Sequence, residues 1–453
     1  LKINEERICV VGAGLVGTLL SLYLAKRGYR VDLYEKRPDM RHAHISAGRS
    51  IVMSISARGV RALEGVGQAD AITSQTLPKR GRTVHMADGT LKFQRYGKEN
   101  NSINTIDRRA LNCTLMDKAE ATGKVKIFFN QECGYIDIDT CDVEFLDTES
   151  GEKTSKRYSR IVGTDGIFSS VRANLEDRRA TVSELTTHPY GYRELVIPPL
   201  PDGDWAMEHN SVHIWPRPNI MMLAIPRIDH AFTITLFLPL KGENSFCALQ
   251  TEEQLISFFK RNFPKAYGRM PTLVEDYFTN DTASIFSVRC SPWHYKDKVA
   301  ILGDASHAIV PFFAMGMNAG FEDCTVFDNL MEKHRGDFGA VFKEFTLHRK
   351  PDMDAMADMS MTNFAELEKS PDPNYDTKWM LERKLWDLLP DRWMPQYAMI
   401  AFSHIPLSEV EVRSKLQMRI LDELVTRYSI EELENDNRLK EIVSGQVTAL
   451  SVQ

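Results

Sequence analysis

The sequence predicts an α/β fold: a Rossmann-like three-layer domain, an inserted β-sheet domain and a helical C-terminal region. Three observations predict it. Ile8–Val11 is an unbroken apolar run, the pattern of a strand buried on both faces, and Gly12-Ala13-Gly14-Leu15-Val16-Gly17 follows it directly. Arg160–Gly163 and Val299–Leu302 repeat the buried-strand pattern and end in further glycine turns, Gly163-Thr164-Asp165-Gly166 and Gly303-Asp304. Residues 188–240 read as sheet punctuated by prolines, whereas the chain after 321 reads almost entirely as helix.

In chain order, Thr18–Lys26 is a leucine-rich helix closed by Gly28, and Val31–Tyr34 is a second strand with Glu35 at its end. This is one β-α-β unit. In it, Gly12 permits the tight turn, Gly14 lets a pyrophosphate approach the backbone, and Gly17 lets helix and strand pack closely. The helix N-terminus favours the phosphate charge, and Glu35 is placed to accept from a ribose hydroxyl. Residues 40–58 are basic and turn-like, and Arg58–Glu64 reads as helix. Residues 82–96 suggest a hairpin around Asp88-Gly89. Leu111–Ala121 is a periodic helix and Val125–Phe129 a short strand. Val212–Trp215, Met221–Ile225 and Phe232–Leu238 read as strands, and Glu252–Phe263 as helix. Gly316-Met317-Asn318-Ala319-Gly320 opens another helix, whose first amides can face an electron-rich ring. Residues 407–440 are charged and amphipathic, with Leu416, Ile420, Leu421 and Leu424 on one face.

The 453 residues allow two or three domains, and 56 basic against 62 acidic residues leave a net charge of −6. So mild an acidity calls for no nucleic-acid partner. No signal peptide and no apolar run long enough for a membrane helix is seen, so no membrane anchor is expected. Seven cysteines, an odd number without a Cys-x-x-Cys, read as reduced thiols of a cytoplasmic protein. No metal site is expected: His42-Ala43-His44 reads as surface loop, and His209 and His213 share no helical face. His307 reads as a base or, at least as well, as a loop-packing residue, and Met353, Met356, Met359 and Met361 read as helical core.

The three glycine turns together resemble those of the single-component, FAD-dependent aromatic hydroxylases of the p-hydroxybenzoate hydroxylase type. Further segments narrow the resemblance to the kynurenine-hydroxylating members. These are Gly48-Arg49-Ser50-Ile51, Tyr190–Leu195, His213-Ile214-Trp215-Pro216, Thr233–Phe237 and the long string Leu302–Cys324. The likeness runs from about residue 7 to about residue 405. It implies an FAD-binding domain over 1–75, 97–180 and 285–330, a substrate-binding sheet domain over 76–96 and 181–284, and a helical region over 331–453. It implies non-covalent FAD, NADPH as co-substrate, and hydroxylation of L-kynurenine by O2 through a flavin hydroperoxide, in tryptophan degradation.

Residue by residue, Val16, Tyr34, Glu35, Lys36 and Arg37 match the stretch that holds the adenosine half of FAD, beside Gly12, Gly14 and Gly17. Ser54, Arg108, Cys133, Asp165, Asp304, Met317 and Asn318 match further FAD positions. Arg82, Tyr96, Asn363 and Tyr397 match the residues that bind the substrate's amino-acid end. That chemistry suits a guanidinium and neutral hydrogen-bonding groups. No catalytic acid or base is assigned. Ala314-Met315 stands where the family carries Gly-Gln, which puts coupling and substrate fit in question. Two alternatives accompany this reading: a hydroxylase of the same fold with another aromatic substrate, and a non-catalytic carrier like the prenyl-binding escort proteins.

Overall fold

A computed structural model describes residues 6–42, 52–99, 101–368 and 374–445. The Gly48–Ile51 stretch, with Ala43 and His44, lies outside them. The first layer is a six-stranded sheet in the order His294–Tyr295, Val299–Ile301, Arg160–Gly163, Arg7–Val11, Arg30–Tyr34, Val125–Phe128. All its pairings are parallel except the edge strand His294–Tyr295. Arg7–Val11 therefore sits where strand order reverses, the place at which open α/β sheets take ligands beyond their carboxyl ends. Helix Leu15–Lys26 is apolar around most of its circumference because it is covered on both sides. It lies against the sheet and between helices Arg108–Ala121 and Gly316–Lys333, and Leu19, Leu20 and Leu24 are buried. A three-stranded antiparallel layer, Gln131–Asp137, Asp142–Asp147 and Lys153–Arg157, covers the other face.

A seven-stranded sheet stands beside this unit, in the order Ala283–Ser291, Val182–Ile197, Phe232–Pro239, Ile220–Pro226, Ser211–Arg217, Gly81–His85, Leu91–Arg95. The hairpin Gly81–His85/Leu91–Arg95 enters it through a parallel pairing with Ser211–Arg217. One face packs on helices Glu252–Asn262 and Leu273–Thr279 in a core of Leu195, Trp215, Met222, Ile234, Phe258 and Phe259. The other face carries Tyr192, Ile214, Leu223 and Phe237, and meets Phe312 and Met361. That alternation is what period-2 side chains produce when both faces are covered.

The remaining helices are Phe338–Glu368, Tyr375–Leu388, Gln396–Phe402, Leu407–Arg427, Ile430–Glu434 and Asp436–Val443. Ile420, Leu421 and Leu424 are buried against Leu381, Leu385 and Trp393, as the expected amphipathic face requires, with Leu416 partly buried beside them. Met353, Met356 and Met359 are core residues, as read from the sequence. Among the described residues no helix is long and apolar enough to cross a membrane.

Candidate cofactor and substrate site

The first glycine turn is built by close contacts that a side chain would destroy. Gly12 has φ +99°, and a Cβ there would lie 2.6 Å from the Thr164 carbonyl oxygen. A Cβ on Gly17 would lie 2.0 Å from the Gly12 oxygen and 2.3 Å from Thr164 Oγ1. Gly14 is the opposite case: a Cβ there meets no protein atom within 4 Å. Gly316, at the start of helix Gly316–Lys333, is equally open. Space is thus kept at the N-termini of two helices, where backbone N–H groups and the helix dipole favour phosphate or an electron-rich ring. Glu35 lies at the rim: its carboxylate accepts from Ala13 N at 3.1 Å and from Arg37 Nε at 2.7 Å.

The other two glycine turns close on the first. Thr164 Oγ1 lies 2.9 Å from the carbonyl oxygens of both Val11 and Gly12 and donates to them, stitching the second turn to the first. Val16 fills the angle between the first and third: a Cβ on Gly303 would lie 3.2 Å from it, and one on Gly320 2.5 Å. Asp304, following Gly303, has an exposed carboxyl that accepts no hydrogen bond from the described residues. Burial of its surroundings raises its pKa, and the nearby His307 and Arg108 oppose that rise. Arg108 is itself exposed, at the start of helix Arg108–Ala121. An unpartnered carboxyl, two open glycines and an acid at a strand end form a cradle that fits the ribityl, pyrophosphate and adenosine parts of FAD.

Several residues singled out from sequence have their side chains engaged elsewhere. Tyr34 is stacked between Phe128 and Phe145, with its hydroxyl 2.6 Å from that of Tyr158. Its backbone oxygen, however, accepts from Gly12 N at 2.7 Å. Cys133 is buried, and burial pushes its thiol pKa up, Asp165 adding to the rise. Asp165 accepts from Ser169 Oγ at 2.5 Å and Ser170 N at 2.7 Å, at the start of helix Ser170–Asp177. Lys36 is exposed. Asn318 is fully buried and ties two elements together: it accepts from Ser56 N at 2.8 Å and donates to the Ser54 oxygen at 2.7 Å. Met317 is buried beside it. Ser54, Met317 and Asn318 therefore bring the strand Val52–Ile55 against the open start of helix Gly316–Lys333. Ala314 holds φ 54° and ψ 36°, a left-handed conformation that suits the glycine of the family better than alanine. Met315 caps this helix and is buried in the core.

On the sheet side, Arg82 donates from Nε to Gln94 Oε1 at 2.7 Å and from its outer nitrogen to the Tyr375 hydroxyl at 3.1 Å. The rings of Tyr96 and Tyr397 lie 4.9 Å apart, and Tyr397 stacks at 6.4 Å on Phe313 of the loop before Gly316. Burial raises the Tyr96 pKa to about 12, with Arg82 opposing; burial raises Tyr397 as well. Both phenols are therefore neutral donors at physiological pH. Asn363 Nδ2 donates to the Phe312 oxygen at 3.1 Å. Arg82, Tyr96 and Tyr397 form one cluster. Asn363 joins it through the Phe312-Phe313 loop, and Ile214, Leu223 and Phe237 supply an apolar wall next to Phe312.

A buried ionic chain was not foreseen. His307 Nε2 lies 2.5 Å from Asp323, which also accepts from Gly303 N at 3.0 Å and Arg349 Nε at 2.9 Å. Arg349 continues to Glu322 at 3.0 Å, and Glu322 pairs with the buried Arg58. Arg58 donates to the oxygens of Ile400 and Ile405, so the Gly303-Asp304 turn is wired to the C-terminal helices. Burial works against the Asp323 charge, but His307 and Arg349 outweigh it and hold its pKa low. The sequence signal available was an acid and an arginine within helical stretches that otherwise read as apolar core.

Residues 5–339 match the family model described as "FAD binding domain". Over 447 residues the chain is 40% identical to the kynurenine 3-monooxygenase of Myxococcus xanthus, covering 98% of this chain and 96% of that protein. It is 38% identical over 442 residues to the enzyme of the same name from Flavobacterium johnsoniae, covering 96% and 98%. Among solved structures, 2-methyl-3-hydroxypyridine-5-carboxylic acid oxygenase shares the fold with a TM-score of 0.66 at 20% identity, over 83% of this chain and 95% of that one. The Pseudomonas aeruginosa protein PqsL does so with a TM-score of 0.66 at 18% identity, over 80% and 97%.

Proposed function

The chain belongs to the FAD-dependent kynurenine 3-monooxygenase family, and from that premise we infer that it hydroxylates L-kynurenine to 3-hydroxykynurenine with NADPH and O2. The observation that carries the substrate is the Arg82–Tyr96–Tyr397 cluster next to the Phe312-Phe313 loop, a hydrogen-bonding end beside an apolar wall. On this reading residues 1–75, 97–180 and 285–330 serve the cofactor, residues 76–96 and 181–284 the substrate, and 331–453 form the helical C-terminal region.

The open glycine turns, Glu35 and Asp304 would hold FAD, which would supply the redox chemistry that links NADPH oxidation to O2 activation. The protein's part is positioning. Arg82 pairs with the substrate carboxylate, and the neutral phenols of Tyr96 and Tyr397 donate beside it. Ile214, Leu223, Phe237 and Phe312 hold the aromatic ring and exclude water. The aniline nitrogen already makes its ortho carbon electron-rich, so the site needs no strong base. Nothing observed favours the carrier alternative. The seven free cysteines suit a reducing compartment, and the reading places the protein in the cytoplasm. NADPH oxidation measured with a panel of aromatic amino acids tests the function: L-kynurenine should stimulate it and yield 3-hydroxykynurenine by mass. Stimulation by another aromatic acid alone would replace the substrate.

A further inference from the structure

The amino-acid end of the pocket holds more charge than Arg82. Helix Tyr375–Leu388 lies across the hairpin that carries Arg82: Tyr375 accepts from Arg82 at 3.1 Å, and Asp376 pairs with Lys92 at 2.6 Å. Two turns on, Arg383 donates to the Gly97 oxygen at 3.4 Å, next to Tyr96, and lies over the rings of Trp379 and Trp386. Glu382 sits on this same helix. Its carboxylate accepts from the backbone N–H of Gln396, the residue before Tyr397, and feels the charges of Arg383 and Arg82. Among the described residues, neither Arg82 nor Glu382 has an ion-pair partner within 4.0 Å. Two opposite charges, neither in an ion pair, thus lie beside these tyrosines: Arg82 within reach of both rings, and Glu382 on the backbone N–H next to Tyr397. An α-amino acid carries the complement of both.

We propose that Glu382 is the counter-charge for the substrate's α-ammonium, so that Arg82 and Glu382 together select a zwitterion. The proposal rests on the kynurenine reading and names how its amino-acid end is recognised. Burial raises the Glu382 pKa to about 7, against Arg383, the Gln396 N–H and Arg82, which lower it. The charged groups acting on it are Arg383 from its own helix and Arg82 from the hairpin, with Arg95 beyond Arg383. Below that pKa the carboxyl is neutral and attracts no ammonium; above it the carboxylate is formed. Affinity for a zwitterion therefore rises with pH through neutrality, while the ligand's ammonium stays protonated. A carboxylate ligand without the ammonium gains nothing from the ionisation.

The test is a titration of the oxidised holoenzyme, followed by the flavin absorbance. The ligands are L-kynurenine and its desamino analogue, the same aryl keto acid with hydrogen in place of the α-amino group. The wild-type protein should prefer kynurenine by about ten-fold or more. Glu382→Gln should lose most of that preference by weakening kynurenine alone, and Glu382→Asp should keep part of it. Between about pH 6 and about pH 8 the wild-type Kd for kynurenine should fall, and that of Glu382→Gln should stay flat. Equal weakening of both ligands in Glu382→Gln would make Glu382 a packing residue and overturn the proposal. So would unchanged kynurenine affinity, or a pH dependence retained in the variant. Should wild type bind neither ligand, the kynurenine reading itself falls, a result distinct from any effect of the variants.

Discussion

Gly14 and Gly17 stand three residues apart in one motif, yet the structure assigns them opposite kinds of necessity. A Cβ on Gly17 would sit 2.0 Å from the Gly12 oxygen, a backbone atom that can retreat only if strand and helix separate. Overpacking of that kind costs about 1–3 kcal/mol, so Gly17→Ala should destabilise the protein whether or not FAD is present. A Cβ on Gly14 meets no protein atom, and its φ of −73° and ψ of −176° are open to any residue. Gly14→Val should therefore cost the apoprotein no more than about 1 kcal/mol, chiefly through the poorer N-cap. Its branched side chain would instead occupy the space kept for the pyrophosphate. Losing one charged hydrogen bond there costs about 1.5–3 kcal/mol, or roughly ten- to 150-fold in FAD affinity. Apoprotein melting separates the two effects, and FAD titration followed by flavin fluorescence measures the second. If Gly14→Val bound FAD like wild type, or destabilised the apoprotein as much as Gly17→Ala, the cradle would be misplaced.

Arg82→Met keeps the side-chain bulk but removes every donor, and should raise the KM for kynurenine by roughly ten- to 150-fold with FAD content unchanged; lost flavin with normal KM would make Arg82 a cofactor or folding residue. The Asp304 carboxyl is exposed and accepts no hydrogen bond from the described residues, so Asp304→Asn should leave the apoprotein's stability, read from its denaturant midpoint, within about 0.5 kcal/mol of wild type and weaken FAD; unchanged FAD affinity would contradict this. Met315 is buried in the core, so Met315→Gln places an amide there and should cost about 1–3 kcal/mol of stability. The same change should alter the peroxide formed per NADPH, and an unchanged ratio would remove Met315 from control of coupling.

The βαβ unit was legible because each of its parts has a local cause: an apolar run buried on both faces, a glycine turn, a leucine-rich helix. The hairpin around Asp88-Gly89 was legible for the same reason, and the structure pairs Gly81–His85 with Leu91–Arg95. Less visible were the strands Val52–Ile55, Leu77–Lys79 and Ile103–Asp107, which make a three-stranded sheet. Each is short, and Leu77–Lys79 contains a proline that only an edge strand tolerates, so neither alternation nor composition marks them. Strand Val182–Ile197 starts before residue 188 because its first half is an exposed ribbon held only by Ala283–Ser291. For the site, sequence identified positions and not the roles of side chains. Tyr34 ends its strand and Glu35 follows it, so successive side chains diverge, Glu35 to the glycine turn and Tyr34 into an aromatic stack. Asn318 reads as a helix-start residue, but its amide is spent on Ser54 and Ser56, which are distant in sequence. The His307–Asp323–Arg349 chain joins three separate elements and leaves no spacing to detect.

The central claim is that this protein places oxygen from O2 on the kynurenine ring. The most direct measurement supplies heavy-isotope O2, ordinary water, NADPH and L-kynurenine to the FAD-loaded protein and reads the product by mass. The account predicts 3-hydroxykynurenine carrying one heavy oxygen, formed together with NADPH consumption. Oxidation of NADPH to give only peroxide, or a hydroxylated product whose oxygen comes from water, would contradict it.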